Sequence, residues 1–424
     1  MLVESWLERA SAAHPDRAAI NALSYDELLA RARAGAGELR ERGVGPETRV
    51  ALTLPPGDGF CVALHACLLL GAVAVPVDPR LGEREQGAIV GDATVVREPL
   101  RQSGGAADDR AAVRHDLDAA AVVVHTSGTS GAPKPVTLTY GNWLWSALAS
   151  STVLGLDPEE RWLSAMPFSH VGGLSILLRS VICATTAIVH ERFETERVLA
   201  ALRDPGGPTV VSVVPTTLRR LLDAGLRNPP ALRWALVGGA PVPDALLQRA
   251  AEAGVPVAPT YGLTEACSQV ATLGRPLFCT RVTTAGDGEL LVRGPTVSPG
   301  SLGGDGWLHT GDLGALDGEG NLTITGRAAD TIITGGENVA PMEVEQVLET
   351  HPAVAEAAVH ARPDLTWGEA VHATVVLREG AVAGEEVLRS HAAARLAAYK
   401  VPKAITFADA LPRTPSGKLL RRGL

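Results

Sequence analysis

A loop rich in glycine and hydroxyl residues follows an apolar strand pattern in the first third of the chain. The strand pattern covers Ala119–Val124, and the loop occupies Thr126–Lys134 with the sequence TSGTSGAPK. Glycines allow successive backbone N–H groups to point inward, and hydroxyls and a lysine add donors, so such a nest suits polyphosphate. The loop lacks the G-x-x-x-x-G-K-[ST] spacing of a Walker P-loop. It indicates a phosphate site, and an ordinary flexible loop is the alternative.

Three further segments carry side chains that suit a nucleotide, although each alone has an ordinary structural interpretation. The Thr-Glu pair in Tyr261–Glu265 is equally typical of a helix N-cap with its first-turn acid. In His309–Asp312 the aspartate can accept from both hydroxyls of a ribose, and Arg327 can hold a hydroxyl or a phosphate. Arg413–Lys418 is basic, and most basic tails are simply solvated.

Taken together, in this order and at these distances, the four segments resemble the motifs of the adenylate-forming superfamily. This superfamily contains acyl-CoA synthetases, luciferases and the adenylation domains of peptide synthetases. The resemblance extends from Ser24 to Lys418. Three less specific segments resemble the 2-succinylbenzoate–CoA ligase branch, which serves menaquinone biosynthesis. They are Met166–Gly173, Thr264–Gln269 and Gly335–Val339. The resemblance implies two half-reactions, in which a carboxylate and ATP give an acyl-adenylate and diphosphate, and the thiol of coenzyme A then gives a thioester and AMP.

The resemblance also implies which residues bind ATP. The glycine-rich loop wraps the β- and γ-phosphates, Thr264 touches the α-phosphate, and Tyr261 stacks on adenine beside a slot lined by Gly238–Ala240. Asp312 holds the ribose hydroxyls with help from Arg327. Glu265 holds Mg²⁺, for which one carboxylate suffices because phosphate oxygens complete the shell. The full implied ATP-binding set is Thr126, Ser127, Gly128, Thr129, Ser130, Gly131, Lys134, Gly239, Ala240, Tyr261, Gly262, Asp312 and Arg327.

Two residues receive catalytic roles from the resemblance, besides Thr264 and Glu265. Lys418 bridges the carboxylate and the α-phosphate, since two anions that must meet need a cation between them. His170 gates the acyl pocket and the thiol tunnel, with a satisfied interior histidine as its alternative. The sequence departs from the family pattern at Pro135, where glycine is usual, and at Ala329 in the expected hinge Ala328–Asp330, where many relatives carry a charge.

An arginine near the middle of the chain is the expected partner of a second carboxylate on the substrate. Pro215 follows the strand pattern Thr209–Val214 and suits the first position of a helix. Arg220 then lies about 200° from the apolar face around Leu218. Helix geometry alone permits a solvated arginine, whereas the resemblance assigns Arg220 to an aromatic dicarboxylate such as 2-succinylbenzoate. The expected substrate-binding set is His170, Arg220, Gly238, Ser268 and Gln269.

Composition excludes several other classes of protein. The chain has 424 residues, 46% hydrophobic and 20% charged, with a formal net charge of −9, which disfavours a protein that coats nucleic acid. Five cysteines without a Cys-x-x-Cys pair favour a reducing, cytoplasmic setting. The N-terminal residues do not resemble a signal peptide. The uncharged run Phe60–Val77 is interpreted as a buried helix and strand, not as a membrane span.

Two alternative functions remain open within the superfamily. One is an aryl- or fatty-acyl-CoA ligase of another specificity. The other is a stand-alone adenylation enzyme that loads an amino acid onto a carrier protein, although no acidic residue that could pair with an α-amino group lies between Arg161 and Ile182. A non-catalytic relative is expected to lack Lys418 or Glu265, and both are present. The sequence leaves the oligomeric state, including a homo-oligomer, open.

The expected fold is α/β. Apolar strand patterns such as Arg49–Leu54 and Ala72–Val77 alternate with helical patterns such as Tyr25–Arg42, which is typical of βαβ units and a parallel sheet. From about Gly288 the predicted elements change to short antiparallel strands. We therefore expect a large N-terminal domain of layered sheets and helices over residues 1–326. A small, mobile α+β domain that carries the catalytic lysine follows over residues 327–424.

Overall fold

The computed structural model describes residues 1–101, 114–127, 133–413, 419–421 and 424. The first strands in chain order are β1 (Leu2–Glu4), β2 (Ala18–Ile20), β3 (Leu23–Ser24), β4 (Arg49–Leu52), β5 (Val73–Pro76), β6 (Thr94–Val96), β7 (Arg114–Asp116), β8 (Ala120–Ser127), β9 (Pro133–Thr139), β10 (Arg161–Ser164), β11 (Thr186–Val189), β12 (Val210–Val213) and β13 (Trp234–Val237). The later strands are β14 (Val257–Leu263), β15 (Ser268–Thr272), β16 (Arg275–Pro276), β17 (Arg281–Thr284), β18 (Glu289–Arg293), β19 (Leu308–Leu316), β20 (Leu322–Arg327), β21 (Ile332–Thr334), β22 (Glu337–Val339), β23 (Val354–Asp364), β24 (Gly368–Leu377) and β25 (Ala404–Phe407).

The α-helices of the described residues connect these strands. They are α1 (Trp6–Ala13), α2 (Tyr25–Glu41), α3 (Asp58–Leu69), α4 (Glu83–Val90), α5 (Tyr140–Leu154), α6 (Val171–Cys183), α7 (Thr195–Arg203), α8 (Pro215–Asp223), α9 (Asp244–Glu252), α10 (Pro341–Glu349) and α11 (Glu385–Ala393). Short 3₁₀ turns occur at Thr264–Ala266, Pro299–Ser301, Ala328–Asp330 and Ala398–Lys400.

Two mixed sheets form the larger part of the fold. One has nine strands in the order β16-β15-β14-β13-β12-β10-β11-β2-β3, and the other has five in the order β6-β4-β5-β8-β9. In the first sheet the neighbours from β14 to β2 are parallel, and in the second β6, β4, β5 and β8 are parallel. Antiparallel strands complete the edges. The predicted α/β class with parallel βαβ units is confirmed.

The uncharged run near residue 60 is buried as a helix followed by a strand. Helix α3 has nearly every side chain out of contact with water, and β5 pairs with β4 and β8 inside the five-stranded sheet. Gly71 separates the two elements with a φ of +66°, a value that glycine adopts without a steric cost. No helix in the described part of the chain is long and apolar enough to cross a membrane.

Helix α2 shows how local sequence sets an element boundary. The Ser24 hydroxyl accepts from the Glu27 amide at 3.2 Å, and the Glu27 carboxylate accepts from the Ser24 amide at 2.9 Å. This reciprocal capping box satisfies two donors that have no partner within the helix. The helix therefore begins at Tyr25, as the sequence predicts.

The chain forms two compact units. The first contains residues 1–239, 249–281 and 292–308, and the second contains residues 240–248, 282–291 and 309–424. The second unit has a core of its own, in which apolar residues of α10 and α11 pack on the sheet β22-β21-β24-β23 with β25: Val344, Leu348, Val354, Val359, Val371, Val375 and Leu388. The domain boundary expected at residue 327 stays a prediction.

The structure agrees with the sequence prediction where apolar patterns are strong, and it differs from the prediction in the polar segments. The polar stretch 82–114, which shows no clear periodicity in the sequence, contains α4 and β6, and residues 102–113 of it lie outside the described residues. The sequence pattern predicts a helix around Glu385–Ala398, whereas α11 ends at Ala393 and a 3₁₀ turn follows at Ala398–Lys400. The strand before the glycine-rich loop continues to Ser127.

Two buried histidines of the first unit make its stability depend on pH. The ring of His115 stacks on Tyr140 with centroids 4.4 Å apart, and its Nε2 accepts from the Trp6 amide at 3.4 Å. Burial lowers the pKa of His65 from 6.5 to about 3 and that of His115 to about 4. Below pH 6.5 the unfolded chain therefore binds protons that the folded chain does not, so stability is complete above pH 6.5 and is lost as the pH falls.

We expect the free energy of unfolding to fall below pH 6.5 with a slope of up to about 1.4 kcal/mol per pH unit for each histidine. Urea denaturation at several pH values between 7 and 5 measures this slope. His115→Gln keeps an acceptor for Trp6 but does not titrate, so its slope is expected to be shallower. His14→Gln, at an exposed position, is the matched control. Equal slopes in wild type and His115→Gln would contradict the assignment.

Candidate functional site

The carboxyl ends of four parallel strands meet at one edge of the nine-stranded sheet. Strands β10, β12, β13 and β14 are neighbours, and their register pairs Ser164 with Ser212, and Val237 with both Val213 and Pro259. Ligands of open α/β sheets bind in the crevice outside these ends. The segments that follow the strands carry the predicted site residues His170, Gly238, Gly239 and Thr264.

The turn between β14 and β15 presents the predicted Thr264-Glu265 pair. Gly262 lies so close to the returning strand that a Cβ atom there would sit 1.8 Å from the Ser268 carbonyl oxygen. Cys267 and Ser268 then adopt φ values of +52° and +93°, which reverse the chain. The Ser298 amide donates to the Glu265 carbonyl at 2.8 Å. The turn therefore requires glycine at position 262.

The side chain of Glu265 is available for a cation. It is partly exposed, and its carboxylate has no hydrogen bond or ion pair within the described residues. Mg²⁺ prefers one or two carboxylate oxygens together with phosphate oxygens. An unpaired carboxylate on a fixed turn fits that requirement, so Glu265 suits the predicted metal role.

Gly238 allows two strand ends to approach each other. A Cβ atom on Gly238 would lie 2.7 Å from Cγ2 of Thr260 and 2.9 Å from its carbonyl oxygen. Tyr261 follows Thr260 directly, so the structure brings the predicted adenine-binding residue beside the predicted slot. Ala240 follows Gly239 in the predicted slot, and it is the first residue of the segment 240–248 that belongs to the second unit.

The two described ends of the glycine-rich segment lie on the paired antiparallel strands β8 and β9. Thr126 pairs with Lys134 and His125 with Pro135 across these two strands, and the Thr126 hydroxyl donates to the Lys134 carbonyl at 3.4 Å. Lys134 is exposed. Residues 128–132, which include Gly128, Thr129, Ser130 and Gly131, lie outside the described residues. Their phosphate-binding role stays a prediction.

His170 occupies the N-cap position of α6, within electrostatic range of an aspartate–arginine pair that the sequence analysis missed. Burial is the main reason that the pKa of His170 lies below its usual value; Arg80 also lowers it, and Asp78 opposes this shift. Asp78 is 6% exposed, and it accepts from Nε and Nη2 of Arg80 at 2.9 and 2.7 Å. The imidazole of His170 is therefore neutral at pH 7. An Asp-Pro-Arg sequence directly after a buried strand was the available signal.

A second residue that the sequence analysis missed is Arg179, on α6 and nine residues after His170. Its guanidinium carbon lies 4.7 Å from the centroid of the Trp162 ring, and the residue is 4% exposed. Burial lowers the pKa of Arg179 to about 10, so the group stays charged at neutral pH. Its Nε and Nη2 atoms have no hydrogen-bond partner among the described residues. Such donors need an acceptor, for which an anion or water is suitable.

The remaining acyl-site residues differ in their exposure. Gln269 is 2% exposed; its Nε2 donates to Thr272 at 2.7 Å, while Oε1 has no partner among the described residues. Ser268 is partly exposed. Arg220 is exposed near the end of α8. That helix begins at Pro215 and buries the predicted apolar face. The substrate-binding role of Arg220 stays a prediction.

Within the second unit the structure brings together Asp312 and Arg327. They are register partners on the antiparallel strands β19 and β20, and Arg327 Nε lies 2.6 Å from Asp312 Oδ1. Asp312 is 4% exposed. The two residues expected at the ribose thus form an ion pair. Lys418 lies outside the described residues, so its predicted role is untested.

Comparison with known proteins extends over the whole chain. The description "AMP-binding enzyme" matches residues 7–97 and 88–302, and "AMP-binding enzyme C-terminal domain" matches residues 343–418. A 2–succinylbenzoate–CoA ligase of Bacillus licheniformis is 37% identical, with 99% of each chain covered.

Solved structures of o-succinylbenzoate CoA synthetase (MenE) from Bacillus subtilis are also similar. The complex with the acyl-adenylate OSB-AMP has a TM-score of 0.88 at 34% identity and covers 100% of this chain and 98% of the other. The complex with ATP and magnesium ion has the same TM-score and identity and covers 100% of both chains. The predicted family is therefore confirmed, and the chain belongs to the AMP-binding enzyme family.

Proposed function

We propose that the chain is an AMP-forming acid–thiol ligase that converts 2-succinylbenzoate, ATP and coenzyme A into 2-succinylbenzoyl-CoA, AMP and diphosphate. The observation that carries this proposal is the glycine-dependent turn at the sheet edge, which presents Thr264 and the unpaired Glu265 carboxylate. The full-length relatives named for this ligase support the choice of acid. The reaction belongs to menaquinone biosynthesis, and its setting is the cytoplasm.

In the first half-reaction the succinyl carboxylate attacks the α-phosphorus of ATP, and the bond to diphosphate breaks. The residues of the chain act mainly by positioning anions and neutralising their charge. Thr264 donates to the α-phosphate, Glu265 would hold Mg²⁺, and Lys134 lies at the phosphate loop. Mg²⁺, when bound, neutralises charge on the phosphate oxygens. Lys418 bridges the two reacting anions.

In the second half-reaction the sulfur of coenzyme A forms a bond to the acyl carbon, and AMP leaves. A neutral imidazole at His170 can sit beside a thioester without attracting another anion. Burial keeps the pKa of His170 low, which supports this gating role. The domain that follows residue 327 is proposed to move between the half-reactions about the hinge Ala328–Asp330.

The second carboxylate of the substrate needs a cation, because a lone carboxylate in an apolar pocket is strongly unfavourable. Arg220 remains the partner predicted from the sequence, at an exposed position. Arg179 is a second candidate, since its buried guanidinium has two donor atoms without partners among the described residues. Either pairing makes the site selective for an aromatic dicarboxylate.

We expect 2-succinylbenzoate to be a much better substrate than benzoylpropionate, which lacks the ring carboxylate. A site built around a buried polar pair can reject such an analogue by about 10⁴-fold in kcat/KM. Diphosphate release with both acids, under saturating ATP and Mg²⁺, measures the difference. Equal turnover of the two acids would contradict the dicarboxylate assignment and would favour an aryl- or acyl-CoA ligase of broader specificity.

The same assay identifies the arginine. Arg220→Leu is expected to shrink the difference between the two acids by slowing only the dicarboxylate. Arg179→Met tests the buried guanidinium with a side chain of similar length. Loss of discrimination in Arg179→Met but not in Arg220→Leu would transfer the role to Arg179.

We expect Asp312→Ala to raise the KM for ATP while the fold stays intact. Hydrogen bonds to a charged group contribute about 1.5–3 kcal/mol, so the increase should be about tenfold or more. Initial rates at saturating acid and Mg²⁺ provide the KM. Glu319→Ala removes an exposed carboxylate from the turn that joins the same two strands, and it is the matched control. An unchanged KM in Asp312→Ala would argue decisively against a ribose contact.

We expect Gly262→Ala to slow acyl-adenylate formation by about 10²-fold or more, because the turn must shift and displacements of about 1 Å have such effects. The measurement is diphosphate release at saturating substrates, with thermal unfolding in parallel. Gly87→Ala is the control, since a Cβ atom there meets no atom within 4 Å. Near-normal adenylation by a folded Gly262→Ala variant would show that the turn does not position the reacting groups.

A further inference from the structure

One carboxylate ties the segment His309–Asp312 to the neighbouring strand of the second unit. Glu289, the first residue of β18, accepts from the Gly311 amide through Oε1 at 2.8 Å, and its Oε2 lies 2.9 Å from Nδ1 of His309. The Glu289 side chain is mostly buried, and the His309 side chain is half exposed. Strands β18 and β19 are neighbours in a four-stranded sheet. Glu289 therefore contacts the residues on both sides of Thr310 from one position.

Thr310 adds a second connection between the same two strands. Its hydroxyl donates to the Leu290 carbonyl at 2.7 Å and accepts from the Asp312 amide at 3.0 Å. Leu290 directly follows Glu289 on β18. Two consecutive residues of β18 thus hold the three residues of β19 that precede Asp312, and side-chain contacts fix the backbone on that side of the aspartate.

Gly311 explains why this stretch needs support from β18. Its φ is +69°, a value that residues with a Cβ atom adopt only at a cost. A Cβ atom there would meet no other atom of the described residues within 4 Å, so the backbone conformation, and not a lack of space, requires glycine. Glycine also has the widest conformational freedom of any residue, and it stands immediately before Asp312. The hydrogen bond from the Gly311 amide to Glu289 restricts that freedom.

We propose that Glu289 is a positioning residue for Asp312 in ATP binding, acting through Gly311 and His309. The inference rests on the proposed function, which assigns the ribose hydroxyls to Asp312. Hydrogen bonds weaken steeply with distance and angle, so a carboxylate that accepts from two hydroxyls must be held in one place. Arg327 holds the side chain of Asp312, with Nε 2.6 Å from Oδ1, and Glu289 holds the backbone that carries it.

The test compares the binding of ATP with that of 2′,3′-dideoxy-ATP, which lacks both ribose hydroxyls. The dissociation constants of the full-length chain are measured by titration calorimetry with Mg²⁺ and without an acid, so the result does not depend on which acid the chain activates. The ratio of the two constants reports the ribose contact. Unfolded molecules change the stoichiometry and not this ratio, so the ratio separates positioning from a loss of stability.

The variants remove the contacts of the carboxylate one at a time or together. Glu289→Leu removes both acceptors with little change in volume, and Glu289→Gln removes the charge and one acceptor oxygen. His309→Phe removes the ring nitrogen that contacts Glu289, whereas His309→Asn keeps an N–H donor close to the position of Nδ1. Glu319→Leu is the matched control, because Glu319 is an exposed carboxylate in the turn that joins β19 and β20.

We expect the wild-type chain to bind ATP about 10- to 100-fold more tightly than the dideoxy nucleotide, as is usual for hydrogen bonds to a charged group. Glu289→Leu should lower this preference about tenfold, because the displaced carboxylate no longer meets both hydroxyls. Glu289→Gln and His309→Phe should lower it less, and His309→Asn and Glu319→Leu should keep it. The double variant Glu289→Leu/Asp312→Ala should have the same preference as Asp312→Ala alone, since both residues act on one contact.

An unchanged preference in a folded Glu289→Leu chain, or an equal weakening of both nucleotides, would overturn the proposal. If Glu289→Leu does not fold, a wild-type preference in Glu289→Gln overturns it instead. Asp312→Ala separates this inference from the proposed function. If Asp312→Ala keeps the wild-type preference, the ribose role fails and the positioning role fails with it. If Asp312→Ala loses the preference while Glu289→Leu keeps it, only the positioning role fails.

Discussion

The close approach of Gly262 to Ser268 is the constraint on which the candidate site depends. Strand β14 ends and the chain returns as β15 within a few residues. Any Cβ atom at position 262 would overlap sterically with the carbonyl oxygen of Ser268. The turn is then held from outside, because the Ser146 hydroxyl donates to the Cys267 carbonyl at 2.7 Å. Left-handed conformations at Cys267 and Ser268 cost about 1 kcal/mol or more each, which the surrounding contacts offset. Thr264 and Glu265 are therefore presented by a turn that the fold holds in one conformation.

Unpartnered polar atoms inside the first unit favour a site that is completed by a ligand. Nε and Nη2 of Arg179 and Oε1 of Gln269 are buried, yet they have no partner among the described residues. Leaving such groups unsatisfied costs about 1–3 kcal/mol each, and more for a charge. Trp162 offsets part of this cost for Arg179, because its ring lies under the guanidinium. A hydrogen-bonded water or a bound anion would offset more.

The sequence was informative where a pattern is local and uninformative where partners are distant in the chain. Apolar runs predicted β4, β5 and the start of α2, and motif order predicted the family. No role was predicted for Arg179, because a single arginine in the apolar helix α6 gives no pattern that indicates a binding site. The ion pair of Arg421 with Glu345 was not predicted either, because the two residues lie 76 positions apart in the chain. A basic segment considered without its partners is interpreted as solvated. Asp312 and Arg327 were expected together from the resemblance, and the pairing of β19 with β20 explains how they meet.

The net charge of −9 is compatible with anionic substrates because charge acts locally in salt. At physiological ionic strength, interactions between exposed charges are screened beyond about 8 Å. An approaching carboxylate or phosphate therefore responds to the nearest groups and not to the total charge. Lys134, at the phosphate loop, is an exposed cation in a segment that the motifs assign to anions. Burial strengthens the field of Arg179 by removing water from around it. Nearby cations, and not the composition of the chain, therefore determine the field that an anion meets.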